Sequence, residues 1–319
     1  MTTMKIPDSM TRRRFLKLAG ATAAAMNAGR LFCGHEAVSL GAEASMPPVA
    51  VFGKIFQELK LDFQQSAQVA AEAGLDGVDC AVRPKGEVLP EQAAEQLPRY
   101  ADALAKQKLR LLLMVTEIRG VDSPQAREIL TTGKKLGVQN YRLGYWLHRP
   151  EVPPEKLRTE IHSRLEELAA MNGELGVCGM LQNHSSWNGK HGGPAGGDLD
   201  ELYDLVKDFD PRRIAVAFDL GHAIIVHGDA WRPRFEKLKP HIRVVYVKDV
   251  RRPAAFVPFG QGEFGHSGFF PMLAKMNYRA PLSMHVEYDW AAPGKKTPAA
   301  LTSVLKENRR VLGQWWKGA

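Results

Sequence analysis

Cysteine is scarce, with three among 319 residues. Three thiols cannot build the disulfide framework of a small secreted scaffold, so the fold must rest on an apolar core. Long apolar runs are missing as well. The stretch Leu18 to Ala28, rich in Ala and Gly, is too short to span a bilayer as a helix. The mean hydropathy of -0.26 argues against a polytopic membrane protein. No GxGxxG follows the first β-rich run, where a doubly wound dinucleotide-binding fold would often place it. No linker, low-complexity tract or short repeat interrupts the chain after residue 44. What remains is ordinary globular composition, 45% hydrophobic and 24% charged.

The net charge of +8 suggests an anionic partner until its location is considered. Six basic residues (Lys5, Arg12, Arg13, Arg14, Lys17, Arg30) and three acidic ones (Asp8, Glu36, Glu43) lie within the first 44, so the rest carries +5. Thr11-Arg12-Arg13-Arg14-Phe15-Leu16-Lys17 resembles the signal of the twin-arginine export pathway, and Ala42-Glu43-Ala44 fits a small-residue cleavage site. Residues 1–44 are therefore expected to be a signal and pre-barrel segment read by the twin-arginine machinery. Residues 45–319 would be a single catalytic domain, exported to the periplasm. Cys80 and Cys178 then remain, and both read as buried thiols rather than a bridge.

From residue 45 on, short β-rich runs alternate with longer helical patterns. The expected strands are Val49–Phe56, Gly77–Arg83, Arg110–Ile118, Asn140–Trp146, Val177–Ser185, Ile214–His222, Ile242–Val250 and Pro281–Asp289. Helical spacing covers Asp62–Ala73, Glu91–Lys106, Gln125–Leu136, Pro154–Leu175, Leu199–Phe209, Trp231–Leu238, Ser267–Met276 and Pro298–Trp316. Asp62 and the run Asp122-Ser123-Pro124 read as helix starts, and Gly74, Gly137 and Gly176 as stops. Near-continuous apolar strands such as Leu111–Val115 and Ile214–Phe218 suit a parallel sheet covered by helices. Eight βα units predict an α/β fold, a (β/α)8 TIM barrel, whose usual length is about 250 residues. The Gly-rich stretch Gly189–Gly197 reads equally as a mobile lid or a plain loop.

Such barrels carry their active sites at the C-terminal ends of the strands, and polar residues collect there. Strand one contains Lys54, strand two ends at Arg83, and strand four carries Arg142, Tyr145 and Trp146. Strand five ends in Gln182-Asn183-His184, strand six in Asp219-Leu220-Gly221-His222, strand seven in Tyr246-Val247-Lys248-Asp249, and strand eight in His285-Val286-Glu287-Tyr288. Phe218-Asp219-x-Gly221-His222, Val247-Lys248-Asp249 and Val286-Glu287-Tyr288 resemble the motifs of the sugar phosphate isomerase/epimerase family, the xylose isomerase-like TIM barrels. The resemblance runs through the whole chain after residue 44, in order and spacing. It implies proton removal next to a sugar carbonyl, an enediolate intermediate and a divalent ion, often Mn, Zn or Mg.

Two family positions differ. Gln182 stands where the family has a strand-five Glu, and Tyr246 where it has a strand-seven His. Asp219, Glu287 and the carbonyl oxygen of Gln182 are the remaining metal-ligand candidates. Glu287 is the expected base and could also touch the metal. His184, two residues beyond Gln182 and on the same strand face, is a substitute second base, with Glu117 weaker. Lys248 would polarise the carbonyl. His222, Arg142, Tyr145, Trp187, Lys54 and Arg83 are the expected substrate contacts. Gln182 cannot act as a base, which puts a symmetrical two-glutamate epimerase in doubt and makes a lyase or hydratase acting on 3-keto sugars or glycosides attractive. Export points to an unphosphorylated sugar. A non-catalytic sugar-binding protein is the rival class. Nucleic-acid work is not expected, because it would need a basic stripe and a richer ligand set, and no stable membrane insertion is expected either. Homo-oligomer formation is left open.

Overall fold

The computed structural model describes residues 45–186 and 193–318. The expected signal at 1–44 and the expected sugar contact Trp187 lie outside them.

Eight parallel strands close into a barrel: β1 (Val49–Phe52), β2 (Gly77–Val82), β3 (Arg110–Thr116), β4 (Asn140–Arg142), β5 (Cys178–Gln182), β6 (Ile214–Asp219), β7 (Ile242–Val247) and, last in the chain, β10 (Leu282–Met284). Their order is β1-β10-β7-β6-β5-β4-β3-β2, and β10 closes on β1 with Val49 opposite Leu282. The TIM barrel expected from the sequence is thus the fold. Between the strands run helices α2 (Phe63–Glu72), α3 (Ala93–Lys106), α4 (Ala126–Lys135), α5 (Pro154–Leu175), α6 (Leu199–Val206), α8 (Trp231–Leu238), α9 (Phe269–Lys275) and α10 (Pro298–Lys317). No described helix is long and apolar enough to cross a membrane.

Local chemistry explains several boundaries. Asp62 caps α2 through a reciprocal box with Gln65. Gly74, Gly137 and Gly176 all take positive φ, and Gly176 ends α5 in the left-handed conformation that L side chains avoid. The Asp122-Ser123-Pro124 start fails as a cap. Ser123 Oγ accepts instead from the amides of Arg119 and Gly120, and α4 begins only at Ala126.

The strands are shorter than expected, and two short helices take up the difference. α1 (Lys54–Gln57) follows β1 at once, and α7 (Leu220–His227) follows β6. β4 and β10 keep three residues each. At the end of β6 the Asp219 side chain captures the backbone, accepting from His222 N, whereas α1 starts at Gly53 without a side-chain cap. After β7 the chain instead forms a hairpin of β8 (Asp249–Arg251) and β9 (Ala255–Val257), unforeseen in the sequence. Buried Asp249 organises it by accepting from the amides of Val250, Gly260, Gly262 and Phe264.

Alternation of side chains along each strand splits the core into two shells. Ile214, Val216 and Phe218 of β6 and Val245 and Val247 of β7 pack outward against the helices. Ala215, Ala217, Val244, Tyr246, Cys178 and Met180 fill the barrel interior. Cys80 and Cys178 are buried free thiols. Trp315 stacks on Phe259, Phe264 and Phe270, seating α10 on the barrel wall.

Candidate active site

The same alternation, continued past the last ladder bond, delivers the polar residues. Lys54 reaches the rim as the first residue of α1, while Phe52 continues the inward row of β1. Ala81 and Arg83 do so for β2, Met180 and Gln182 for β5, Ala217 and Asp219 for β6, Tyr246 and Lys248 for β7, and His285 and Glu287 for β10. They enclose a cavity of about 120 Å³ at the C-terminal face, lined by Lys54, Arg83, Arg142, Tyr145, Gln182, His184, Lys248, His285 and Glu287, with Phe52 and Val115. Eight of the expected site residues therefore meet in one place. Asp219 lies fully buried beneath them, and His222 lines a wider outer chamber of about 650 Å³ that shares Lys54, His184 and Glu287 with the inner one.

Lys248 is the centre of the far wall. Its Nζ lies 3.1 Å from Asp219 Oδ2, 3.3 Å from Glu287 Oε2 and 3.0 Å from His222 Nε2. Burial works against its charge, but Asp219 and Glu287 outweigh burial and hold its pKa above the ordinary lysine value. Burial alone would also favour neutral Glu287, yet the Lys248 ammonium beside it keeps its carboxylate ionised far below the usual range. Asp219 is pushed up by its complete burial, against the pull of Lys248.

An ammonium has donors only, so His222 Nε2 must accept from Lys248. The proton of that ring is then on Nδ1, which donates to Ser185 Oγ at 2.9 Å. Burial and the neighbouring Lys248 charge keep His222 neutral. Asn183 ties β5 to β6 by two bonds, donating to Asp219 O at 2.7 Å and accepting from Asp219 N at 2.8 Å. Asp219 is both the last residue of β6 and the cap of α7, accepting from His222 N. Gly221 is required by contact: a Cβ there would lie 2.8 Å from Lys248 Cγ and 3.0 Å from its carbonyl oxygen.

The near wall is built differently. The buried Arg142 guanidinium packs on the Tyr145 ring at 4.4 Å and donates one hydrogen bond, to Leu143 O. Arg83 lies over Phe52 at 5.6 Å. Both face Glu117, at 3.6 Å from Arg142 and 3.9 Å from Arg83, beyond hydrogen-bond distance. Burial and the like charge of Arg142 lower the Arg83 pKa. His184 spans the two chambers. Its Nδ1 faces Ser185 O at 2.6 Å, and burial with the Lys248 charge brings its pKa down to about 4, so it is neutral near pH 7.

The family model of xylose isomerase-like TIM barrels matches residues 67–308. The chain belongs to this family. Solved structures share the fold at low identity. A 3-keto-D-glucoside 4-epimerase from E. coli has a TM-score of 0.64 at 13% identity, over 83% of this chain and 100% of that one. A probable 3-DHS dehydratase of petrobactin synthesis from Bacillus anthracis also has a TM-score of 0.64 at 13% identity, over 83% and 98%. A xylose isomerase-like protein from Mycobacterium smegmatis in complex with magnesium has a TM-score of 0.59 at 15% identity, over 86% and 100%. No curated protein matches the chain.

The donor set of this family member does not fit a divalent ion as it is arranged. Asp219 and Glu287 do converge, but on the Lys248 ammonium, and Gln182 is bonded to Asp219 and Tyr145. Gln182 turns its amide nitrogen to Asp219 at 3.0 Å, and its carbonyl oxygen accepts from Tyr145 OH at 2.5 Å. The oxygen expected as a ligand is thus already engaged, and the two carboxylates already share a cation. Tyr246, at the family's histidine position, has a buried hydroxyl with no hydrogen-bond partner among the described residues. Among the described residues no group of three His, Cys, Asp or Glu is placed to hold a metal.

Two contributors escaped the sequence reading. His285 is buried in the cavity wall between Phe52 and Tyr246, with Nδ1 3.7 Å from Glu287 Oε1, and neither ring nitrogen has a hydrogen-bond partner among the described residues. Burial and the Lys248 charge lower its pKa to about 3, so it is a neutral group open to a hydroxyl. Its place two residues before Glu287 was the available signal. Asn183 gave none, because its role depends on the partner strand. Trp146, at the expected end of strand four, packs into the core behind the wall instead.

Proposed function

We propose that the protein is a carbohydrate-active enzyme of the isomerase/epimerase type. It removes a proton next to a sugar carbonyl, with Glu287 as base and the Lys248 ammonium facing the carbonyl oxygen. The observation that carries this reading is the 3.3 Å contact between Lys248 Nζ and Glu287 Oε2 at the cavity wall. In such a reaction the α-proton and the carbonyl oxygen are separated by one carbon, so base and cation must stand side by side. Glu287 takes the proton, the C–H electron pair becomes the enediolate double bond, and the carbonyl π pair moves to the oxygen beside Lys248. Unliganded, Glu287 is a weak base because Lys248 neutralises it. As the ammonium turns to the growing oxyanion, the proton affinity of Glu287 rises. Asp219 and His222 hold the ammonium in place, so little reorganisation is needed.

In this reading Lys248 supplies the positive charge that a divalent ion supplies elsewhere in the family. Protonated Glu287 returns the proton at the neighbouring carbon, and neutral His184, lining the same cavity, is the group to accept a second proton from the substrate. The twin-arginine segment supports export to the periplasm and hence an unphosphorylated sugar.

A second outcome of the same enolate is elimination, and one observation favours it: among the described residues Glu287 is the single carboxylate lining the inner cavity. On a 3-keto sugar, loss of the C2 proton lets the C1 substituent leave with the bonding pair. The 3-keto-D-glucoside 4-epimerase and the probable dehydratase of the same fold fit both outcomes. The test is deuterium incorporation from D2O into ketohexoses and 3-keto-D-glucosides, with product analysis and metal analysis of the purified protein. Exchange at a carbon next to the carbonyl is expected, and its isomer or elimination product tells the outcomes apart. Absence of exchange on every sugar, or exchange undiminished in both Glu287→Gln and Lys248→Gln, would overturn the proposal.

A further inference from the structure

The inner cavity carries more positive charge than the proton transfer uses. Lys248 is matched by Asp219 and Glu287. Arg83 and Arg142 are not matched in this way: they share Glu117 at 3.9 and 3.6 Å, and Glu117 is 40% exposed and so partly satisfied by water. Arg142 is nine-tenths or more buried and uses one of its five N–H donors in a hydrogen bond, while Arg83 uses none among the described residues. Lys54, on the same rim, has no ion pair among the described residues. Two guanidiniums held side by side repel each other and lose hydration. Such a wall is kept at a cost in stability unless something fills it.

We infer that Arg83 and Arg142 bind an oxyanionic group of the substrate, so that the sugar processed here is an acid carrying a carboxylate. The planar fork of each guanidinium matches a carboxylate through two parallel hydrogen bonds, and stacking on Phe52 and Tyr145 fixes both forks. The arginines stand across a cavity of about 120 Å³ from Lys248 and Glu287, so the anion docks on one wall and the reacting carbons face the other. The remainder of the substrate extends into the outer chamber, whose wall includes Ile225, Val226 and Phe256. A phosphate offers the same oxygen chemistry. The carboxylate is chosen because the proposed reaction, on which this inference rests, concerns an unphosphorylated sugar.

Calorimetric binding to the full chain tests the charge. The probes are D-glucuronate and D-galacturonate, their neutral parents D-glucose and D-galactose, and D-glucose 6-phosphate. The uronates are expected to bind about 10- to 100-fold more tightly than the neutral sugars, the range of hydrogen bonds to charged groups. Arg83→Gln should bring that ratio close to one. Arg142→Lys, which keeps charge but loses the fork, should lower it in part, with thermal unfolding checking that each variant folds. Equal affinity for acid and neutral sugars, or a ratio unmoved by both variants, overturns the inference. Tighter binding of D-glucose 6-phosphate than of either uronate overturns the carboxylate assignment. Deuterium exchange on 5-keto-D-gluconate and on D-fructose separates this from the underlying chemistry. Exchange on both at equal rates sinks the acid preference and keeps the enolate, whereas a preserved binding ratio without exchange does the reverse.

Discussion

The two walls of the inner cavity hold similar residue types in opposite states. On the wall made by β5, β6, β7 and β10, the charged groups are paired: Lys248 with Asp219 and Glu287, Gln182 with Asp219 and Tyr145, His222 with Lys248 and Ser185. On the wall made by β2 and β4, two guanidiniums share a distant carboxylate. A paired buried charge fixes geometry, and breaking one pair leaves its partner stranded. A buried cation with open donors waits for an anion. The contrast assigns chemistry to the first wall and recognition to the second.

The largest effect should come from Glu287→Gln, which keeps the shape of the paired wall and removes its base. Deuterium exchange should fall by roughly 10²- to 10⁴-fold in a variant that still folds, with some stability lost because Lys248 keeps only Asp219 as its carboxylate partner. Unchanged exchange would assign the base elsewhere. Lys248→Met breaks the pairing itself. With Asp219 and Glu287 left uncompensated, denaturant unfolding should register a loss of about 3–5 kcal/mol, whereas Arg83→Gln on the open wall should cost far less. Equal losses would end the distinction between the walls. Asn183→Ala strips two bonds from the Asp219 backbone and should cost on the order of 1–3 kcal/mol in the same measurement.

A smaller effect concerns charge below the cavity. Burial raises the pKa of Asp79 to about 7 and that of Glu87 to about 7, above the ordinary carboxylate range. The folded state then binds more protons than the unfolded one between pH ~4 and ~7, so these two groups lower stability as pH rises through that window. Among the described residues Asp79 Oδ1 has no hydrogen-bond partner, while Oδ2 accepts from Ser283. Asp79→Asn should therefore raise the unfolding midpoint at pH 8 more than at pH 4. An equal shift at both values would show that Asp79 ionises normally. Glu287 behaves in the opposite sense. Its depressed pKa contributes stability that is fully present above the unfolded carboxylate value and is lost progressively as pH falls below it.

Much of this was legible in advance. Period-2 alternation and helical spacing placed all eight barrel strands, and the glycine stops at 74, 137 and 176 and the Asp62 cap hold as expected. Strand-end positions brought together Lys54, Arg83, Arg142, Tyr145, Gln182, His184, Lys248 and Glu287 because inward residues of a closed parallel barrel must meet at one face. Strand ends were not legible, since Asp219 is ladder and helix cap at once. Nor was the hairpin after β7, which depends on one buried carboxylate gathering four amides from a later loop.

The sequence by itself determined the barrel and the side chains that reach its rim, because both follow from local periodicity. Only the tertiary structure decided what those side chains do to one another. Whether Gln182 offers an oxygen or spends it on Tyr145, whether Asp219 and Glu287 face an ion or an ammonium, and whether Arg83 and Arg142 are neutralised all depend on distances between separate strands. Electrostatics in a buried cavity changes over fractions of an ångström, and chain spacing carries no record of that.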